Sequence, residues 1–198
     1  KEANVLIGTQ MIAKGHDFPG VSLVGIVLAD IGLAMPSYRS SERTFQLITQ
    51  AIGRCGRGEI PGKAIIQAYL PRHYSITLGS KQNYRDFYIT EMANRKLQNY
   101  PPFYYLTSLI IKGNNEEILN ENINEMKDFL ELYFEKEKYQ IIGPSEPYIS
   151  HAQNYKEKQL LIKYKNVDLG NRALTDLVNA FKSKYGIEIF INIDPYNF

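Results

Sequence analysis

Apolar positions follow two different patterns along the chain. In the first third they come as short unbroken runs: Val5-Leu6-Ile7 stopped by Gly8, Ser22 to Leu28 stopped by Ala29-Asp30, and Ala64 to Tyr69. Runs of this length without alternation predict strands buried on both faces. Between the second and third runs, Phe45, Ile48 and Ile52 fall at i, i+3 and i+7, the spacing of one helical face. The predicted order is β, β, α, β, and continuous apolar strands joined by a helix belong to a parallel sheet. Three strands are few for such a sheet, so further strands are expected upstream, and the chain reads as a truncated piece.

A second helical stripe, formed by Tyr84, Phe87, Tyr88 and Met92, predicts a helix over 83–99. It must stop at Tyr100-Pro101-Pro102, because proline lacks the amide hydrogen and clashes with the preceding turn. Strands are expected over 106–112, 139–142, 159–164 and 187–193, and helices over 116–134 and 168–185. The order β-α-β-β-α-β predicts an antiparallel sheet with both helices on one face, the split βαβ or ferredoxin-like arrangement. That names a shape and no function. The connection over 143–158 exceeds the usual hairpin loop and is a candidate contact surface. The expected organisation is α/β: a parallel-sheet unit over 1–72, a helical connector over 73–102 and an α+β domain over 103–198.

Composition narrows the class. With 198 residues, 44% hydrophobic and 22% charged, the chain can bury one sizeable core or two small ones. A formal net charge of +2 does not by itself announce a nucleic-acid binder. The distribution is uneven, however, with eight Lys/Arg against five Asp/Glu in residues 1–80 and fifteen against sixteen thereafter. The lone Cys55 excludes an internal disulfide and a cysteine-cluster zinc site within this chain. No run approaches the length of a membrane span and no leader is visible, which fits a cytoplasmic setting.

Two stretches carry candidate chemistry. In Gly8 to Phe18 a strand end runs into polar and glycine positions, and strand ends line ligand crevices in α/β sheets. Thr9 and Gln10 can hydrogen-bond a phosphodiester backbone, Gly15 admits close main-chain approach, and Asp17 can accept from a sugar hydroxyl. Taken alone, the same residues suit an ordinary turn. The second stretch, Gln50-Ala51-Ile52-Gly53-Arg54-Cys55-Gly56-Arg57-Gly58, sets two arginines three apart among three glycines after a helix. Two planar guanidinium groups can converge on one phosphoryl group, whose charge spreads during transfer. A capped helix end with arginines opposing the dipole is the plainer alternative.

Order and spacing favour function. The Gly-Thr-Gln to Gly-His-Asp-Phe element, a strand, Glu42 to Leu47 and the Gln-x-x-Gly-Arg-x-Gly-Arg element follow one another as a set. They resemble motifs V and VI of superfamily 2 helicases. The words between them, Asp30 to Pro36, Tyr38 to Gln46, Tyr100 to Phe103 and Ile193-Asp194-Pro195, are similar to the PriA (primosomal protein N′) family, over essentially the whole chain.

That resemblance implies the C-terminal half of a RecA-like helicase lobe followed by the ferredoxin-like domain. It implies that Arg54 and Arg57 face the γ-phosphate of ATP across an interlobe cleft, with Gly15 and Asp17 at the same surface. Gln50 would couple the cleft to DNA, and Thr9, Gln10 and Lys14 would contact DNA. Forked or single-stranded DNA, primosome proteins and single-stranded DNA-binding protein are the implied partners. Unwinding in the 3′-5′ direction, replication restart and primosome assembly are the implied roles. Magnesium and zinc are implied for the parent protein alone, since neither a phosphate loop, an acidic magnesium motif nor paired cysteines occur here. The chain alone is therefore not expected to hydrolyse ATP.

The resemblance has two departures. Cys55 stands where the family commonly has alanine, and Gln153 to Lys158 replaces an arginine-rich loop, which weakens the case for DNA contact there. Cys55 is expected to pack without chemistry, and His73 and His151 to face solvent, while His16 lies inside the first motif. Tyr100, Phe103, Tyr104 and Tyr105 can stack on bases, though packing explains them as well. Two rival functions stand beside this one: a non-catalytic DNA-structure or partner-docking module, and another superfamily 2 motor of RecG-like or RecQ-like type.

Overall fold

The computed structural model describes residues 4–10, 20–56, 61–135, 138–148, 155–184 and 186–197. The chain divides into two compact units: residues 1–35 with 39–93, and residues 36–38 with 94–198.

In the first unit, β1 (Leu23–Ile26) pairs in parallel with β2 (Lys63–Ile66), Leu23 opposite Lys63 and Ile26 opposite Ile66. Backbone hydrogen bonds lengthen the pairing at both ends, from Lys63 N to Ser22 O (2.8 Å) and from Gln67 N to Ile26 O (2.8 Å). A 3₁₀ turn (Ile31–Ala34) and α1 (Ser40–Ile52) lie between the strands in sequence. Helix α1 buries the expected face: Phe45 and Ile48 are almost fully covered. Phe45 stacks on Phe87 of α3 (Tyr84–Leu97) at 4.1 Å. Ile48 meets Gly79 of α2 (Tyr74–Ser80), where an added Cβ would stand 3.1 Å from an Ile48 methyl.

Three expectations are corrected here. Val5-Leu6-Ile7 forms no strand and is exposed, because no described segment offers its backbone a partner. The other two strands are shorter than their apolar runs, and Leu23, Val27 and Ile65 are more than half exposed instead of buried. Helix α2 lies within the expected helical connector but ahead of the helix expected over 83–99. It is short, and its cap is His73, whose Nδ1 accepts from Ser75 N at 3.3 Å. His73 is accordingly half-buried and structural, not solvent-facing.

The second unit contains β3 (Tyr105–Gly113), α4 (Glu116–Phe134), β4 (Tyr139–Ser145), β5 (Lys156–Tyr164), α5 (Val167–Phe181) and β6 (Glu188–Ile193). The observed order is the expected β-α-β-β-α-β. The strands lie in the order β4-β5-β3-β6 with every neighbouring pair antiparallel. Leu109 and Ile111 of β3 and Leu160, Ile162 and Tyr164 of β5 alternate onto one face. There they meet Leu119, Ile123, Met126 and Leu130 of α4 and Ala173, Leu174 and Leu177 of α5, so both helices cover the same side. Asn115 caps α4 by accepting from Glu117 N (2.8 Å) and Ile118 N (3.3 Å), and Asn166 caps α5 by accepting from Leu169 N (3.1 Å).

The opposite sheet face also buries residues. Gln159 Nε2 donates there to Ser108 Oγ at 2.7 Å, beside Leu106, Leu161 and Lys163. Within the hairpin connection, pairing continues past Gly143, whose φ of +113° accompanies a bulge between Ile142 and Ser145.

Candidate functional site

The glycine and arginine stretch is built on the end of α1. Gly53 terminates the helix, its amide reaching Thr49 O at 3.0 Å. The next two amides tighten the turn, Arg54 N to Ala51 O (3.1 Å) and Cys55 N to Ile52 O (2.9 Å). Gly56 then crosses to the foot of β1, its amide donating to Val21 O at 3.1 Å. Its φ of +72° is a left-handed conformation that glycine adopts without strain. Cys55 Sγ lies 3.3 Å from Lys63 O and 3.7 Å from Ser22 O, a weak thiol donor seated between the two strand starts. The thiol thus pins the helix end to the parallel pair and has the packing role expected of it.

The base of this loop is tight. An added Cβ on Gly62 would stand 2.4 Å from both Cys55 Sγ and Gly56 N, so the two stems approach as closely as glycines permit. Sequence reasoning missed Gly62. Its available signal was the Pro61-Gly62 pair just ahead of a strand. Asp30 was missed as well. It is buried, and its Oδ2 accepts from Leu70 N at 2.6 Å, tying the chain after β1 to the chain after β2.

Of the candidates read from the sequence, Gln50 is exposed in the last turn of α1 and Arg54 is half-buried just beyond its Gly53 cap. A cation after a helix C-terminus is favoured by the dipole. Thr9 and Gln10 are exposed. Lys14, Gly15, His16, Asp17, Arg57 and His151 lie outside the described residues.

Two further polar clusters were not anticipated. Glu91 is buried on α3 and accepts a hydrogen bond from the Tyr74 hydroxyl at 2.6 Å. Burial lowers the pKa of His73, with the nearby Glu91 carboxylate opposing the shift. In the second unit, Lys156 pairs with Glu116, and Lys158 lies 3.5 Å from the same carboxylate. The hydrogen bond and charge of Lys156, followed by the charge of Lys158, hold Glu116 below the usual carboxylate range. The basic residues at the end of the long hairpin connection are therefore locally neutralised. Among the described residues no group of His, Cys, Asp and Glu could hold a metal ion, and no helix is long and apolar enough to cross a membrane.

These features define a two-unit α/β protein in which a parallel strand pair carries a glycine-closed arginine loop and a four-stranded antiparallel unit follows it. Residues 96–196 match the family described as Primosomal protein N C-terminal domain. The chain is 41% identical over 98% of its length to the replication restart protein PriA of Bacillus subtilis, covering 24% of that protein. It is 36% identical over 98% of its length to the PriA of Chlamydia muridarum, covering 26% of it. With the PriA of Synechocystis the identity is 43% over 82% of the chain and 20% of that protein. The chain belongs to the PriA family, and it spans about a quarter of the length of these curated relatives.

Proposed function

We propose that this chain is the C-terminal part of an ATP-dependent DNA helicase that acts in replication restart and primosome assembly at stalled forks. In this reading the first unit is part of the second RecA-like lobe and the second unit is a ferredoxin-like domain. The carrying observation is the mounting of Arg54. The residue follows a helix C-terminus, and the loop after it is fastened to the parallel strands by Gly56 and Cys55 and closed at its base by Gly62. A guanidinium held this way suits stabilisation of charge on a transferring phosphoryl group. The names of the relatives supply the process, replication restart.

ATP fits this chain in part. Arg54 and, by family resemblance, Arg57, Gly15 and Asp17 would meet the nucleotide, with the remaining groups supplied elsewhere in the parent protein. ATP supplies the phosphoryl transfer that drives movement. Magnesium is assigned to the parent, since no acidic cluster suited to it occurs among the described residues. Zinc does not fit this chain, because its one thiol is engaged with strand carbonyls. Gln50, Thr9, Gln10 and Lys14 are assigned to DNA and its coupling. Forked or single-stranded DNA, primosome proteins and single-stranded DNA-binding protein are the proposed partners, with 3′-5′ movement and a cytoplasmic location.

The test is an Arg54→Ala substitution in the full-length protein. If the residue acts as an arginine finger, DNA-stimulated ATP turnover falls by about 10³-fold or more, and Arg54→Lys does not restore it because the forked geometry is lost. Unchanged turnover in Arg54→Ala would remove the assignment.

A further inference from the structure

The helix layer of the C-terminal unit carries its charge unevenly. Helix α4 holds six carboxylates against Lys127 alone, and α5 holds Asp168 and Asp176 against Arg172. The strands of the same unit hold four lysines against two glutamates. A layer so acidic repels the phosphates of DNA and attracts a cationic partner.

Within that layer lies an open cleft of about 580 Å³, lined by Phe129, Leu132 and Tyr133 of α4 and by Asp176 of α5. Its shape is set before any ligand arrives. The Tyr133 hydroxyl donates to Asp176 Oδ2 at 2.6 Å, which joins the two helices. Phe129 lies 5.8 Å from the Tyr133 ring and meets Phe181 edge-on at 6.2 Å. Leu132, by contrast, is 75% exposed, although the other leucines of its helix, Leu119 and Leu130, are fully buried.

Apolar walls ending on one carboxylate are the complement of an arginine side chain. Its aliphatic stem can lie along Leu132, its planar head against an aromatic ring, and its fork can donate to the carboxylate. The second oxygen of Asp176 is open to such a donor, since Tyr133 is the one hydrogen-bond partner of that carboxylate among the described residues. The acidic character continues past the cleft. Asp128 and Glu135 are exposed and lie about one turn before and one turn after Leu132, on the same side of the helix. A small free amine would leave them unused, whereas a chain with a second cation reaches them.

We propose that this cleft is a docking site for a basic segment of a partner protein, which places an arginine among Leu132, Phe129 and Asp176 and a second cation beside Asp128 or Glu135. The inference goes beyond the motor reading and needs neither ATP nor DNA.

The experiment measures the binding of three labelled peptides to the full-length protein by fluorescence anisotropy, without ATP or DNA. Each is a short Gly-Ser peptide around a central X-Leu-X, with X arginine, citrulline or glutamate. The arginine peptide is expected to bind about tenfold tighter than the citrulline one, which keeps the shape and loses the charge, and to weaken as salt rises. Asp176→Asn and Leu132→Ser, both at exposed positions, are each expected to weaken the arginine peptide about tenfold, and Asp176→Lys to bind the glutamate peptide in preference to it. Equal binding of the arginine and citrulline peptides overturns the proposal, as does arginine-peptide binding that both Asp176→Asn and Leu132→Ser leave unchanged. If Leu132→Ser lowers the affinity for forked DNA, or splits a dimer of the full-length protein seen by sedimentation, the face belongs to DNA or to a second copy and the partner reading fails. Failure of the motor reading looks different: DNA-stimulated hydrolysis is then absent while the peptide result stands.

Discussion

Gly170 sets two physical rules against each other. It sits in the first turn of α5, where glycine to alanine ordinarily gains up to about 1 kcal/mol of helix propensity. Yet a Cβ at this position would stand 2.2 Å from Tyr164 Cε2, 2.6 Å from Cζ and 2.7 Å from Cδ2. The ring cannot swing aside. Tyr164 is almost fully buried, stacks between Phe134 at 5.7 Å and Tyr105 at 5.9 Å, and shares a hydrogen bond with Thr107 Oγ1 at 3.1 Å. Overpacking of a filled core costs roughly 1–3 kcal/mol, and contact with three ring atoms belongs at the upper end. Gly170→Ala is therefore expected to lose about 1–2 kcal/mol net. In urea unfolding followed by circular dichroism, this lowers the midpoint by about 0.5–1 M with the slope unchanged. The penalty should shrink by about 1 kcal/mol or more when Tyr164→Leu is combined with it, because the clashing ring atoms are then gone. A midpoint that rises in Gly170→Ala would show that propensity wins and that the helix is not seated on the tyrosine as described.

On the proposed motor reading, Gly62→Ala is expected to prise open the base of the loop after Arg54 and lower DNA-stimulated turnover of the full-length protein at least tenfold, by misplacing the group assigned to the phosphate. Normal turnover would show that the loop base is not under close contact. Acid should weaken the first unit through His73. Its pKa is depressed on folding, so the unfolded chain binds the extra proton; its stability contribution is intact above about pH 6.5 and is lost as pH falls through that value towards the folded pKa. Protonation also turns Nδ1 from acceptor to donor and breaks the cap on Ser75 N. A His73→Asn variant should keep the cap while flattening the pH dependence of unfolding between pH 7 and 5. Tyr74→Phe, which removes the hydroxyl donating to buried Glu91, should cost about 1.5–3 kcal/mol in the same unfolding assay.

Legibility in the sequence followed how local each cause was. Helix α4 could be read to its ends, since Asn115 caps it and a regular apolar stripe runs from Leu119 to Leu130. The same holds for Phe45 and Ile48 on α1. Strands β4 and β5 each extend three residues beyond their expected bounds: β4 because Gly143-Pro144 reads as a turn yet forms a bulge that lets Ser145 pair with Gln159, and β5 because Lys156 to Lys158 pair with Ile111 to Gly113 of β3. Helix α5 stops at Phe181, four residues earlier than its pattern allows. Helix α2 escaped notice because histidine is not among the side chains that usually announce a helix start. At the candidate site, the place of Gln50 on the helix and of Arg54 just past its end was visible as local spacing. The roles of Gly62 and Asp30 depend on chain segments that meet only in three dimensions.

The two units treat their apolar residues differently, and the contrast bears on what each can do alone. In the second unit the inward residues of β3 and β5 are sealed by α4 and α5, and the helix ends are capped by Asn115 and Asn166. In the first unit α1 closes over α2 and α3, but β1 and β2 leave Leu23, Val27 and Ile65 open to solvent, in strands whose unbroken apolar runs are those of a sheet covered on both sides. A parallel pair of four-residue strands is too small to hold itself flat. If further strands of the parent protein flank this pair, as proposed, the arginine loop gains stiffness from them, because Gly56 and Cys55 fasten it to the feet of β1 and β2. The mounting of Arg54, as much as its charge, would then be a property of the whole sheet.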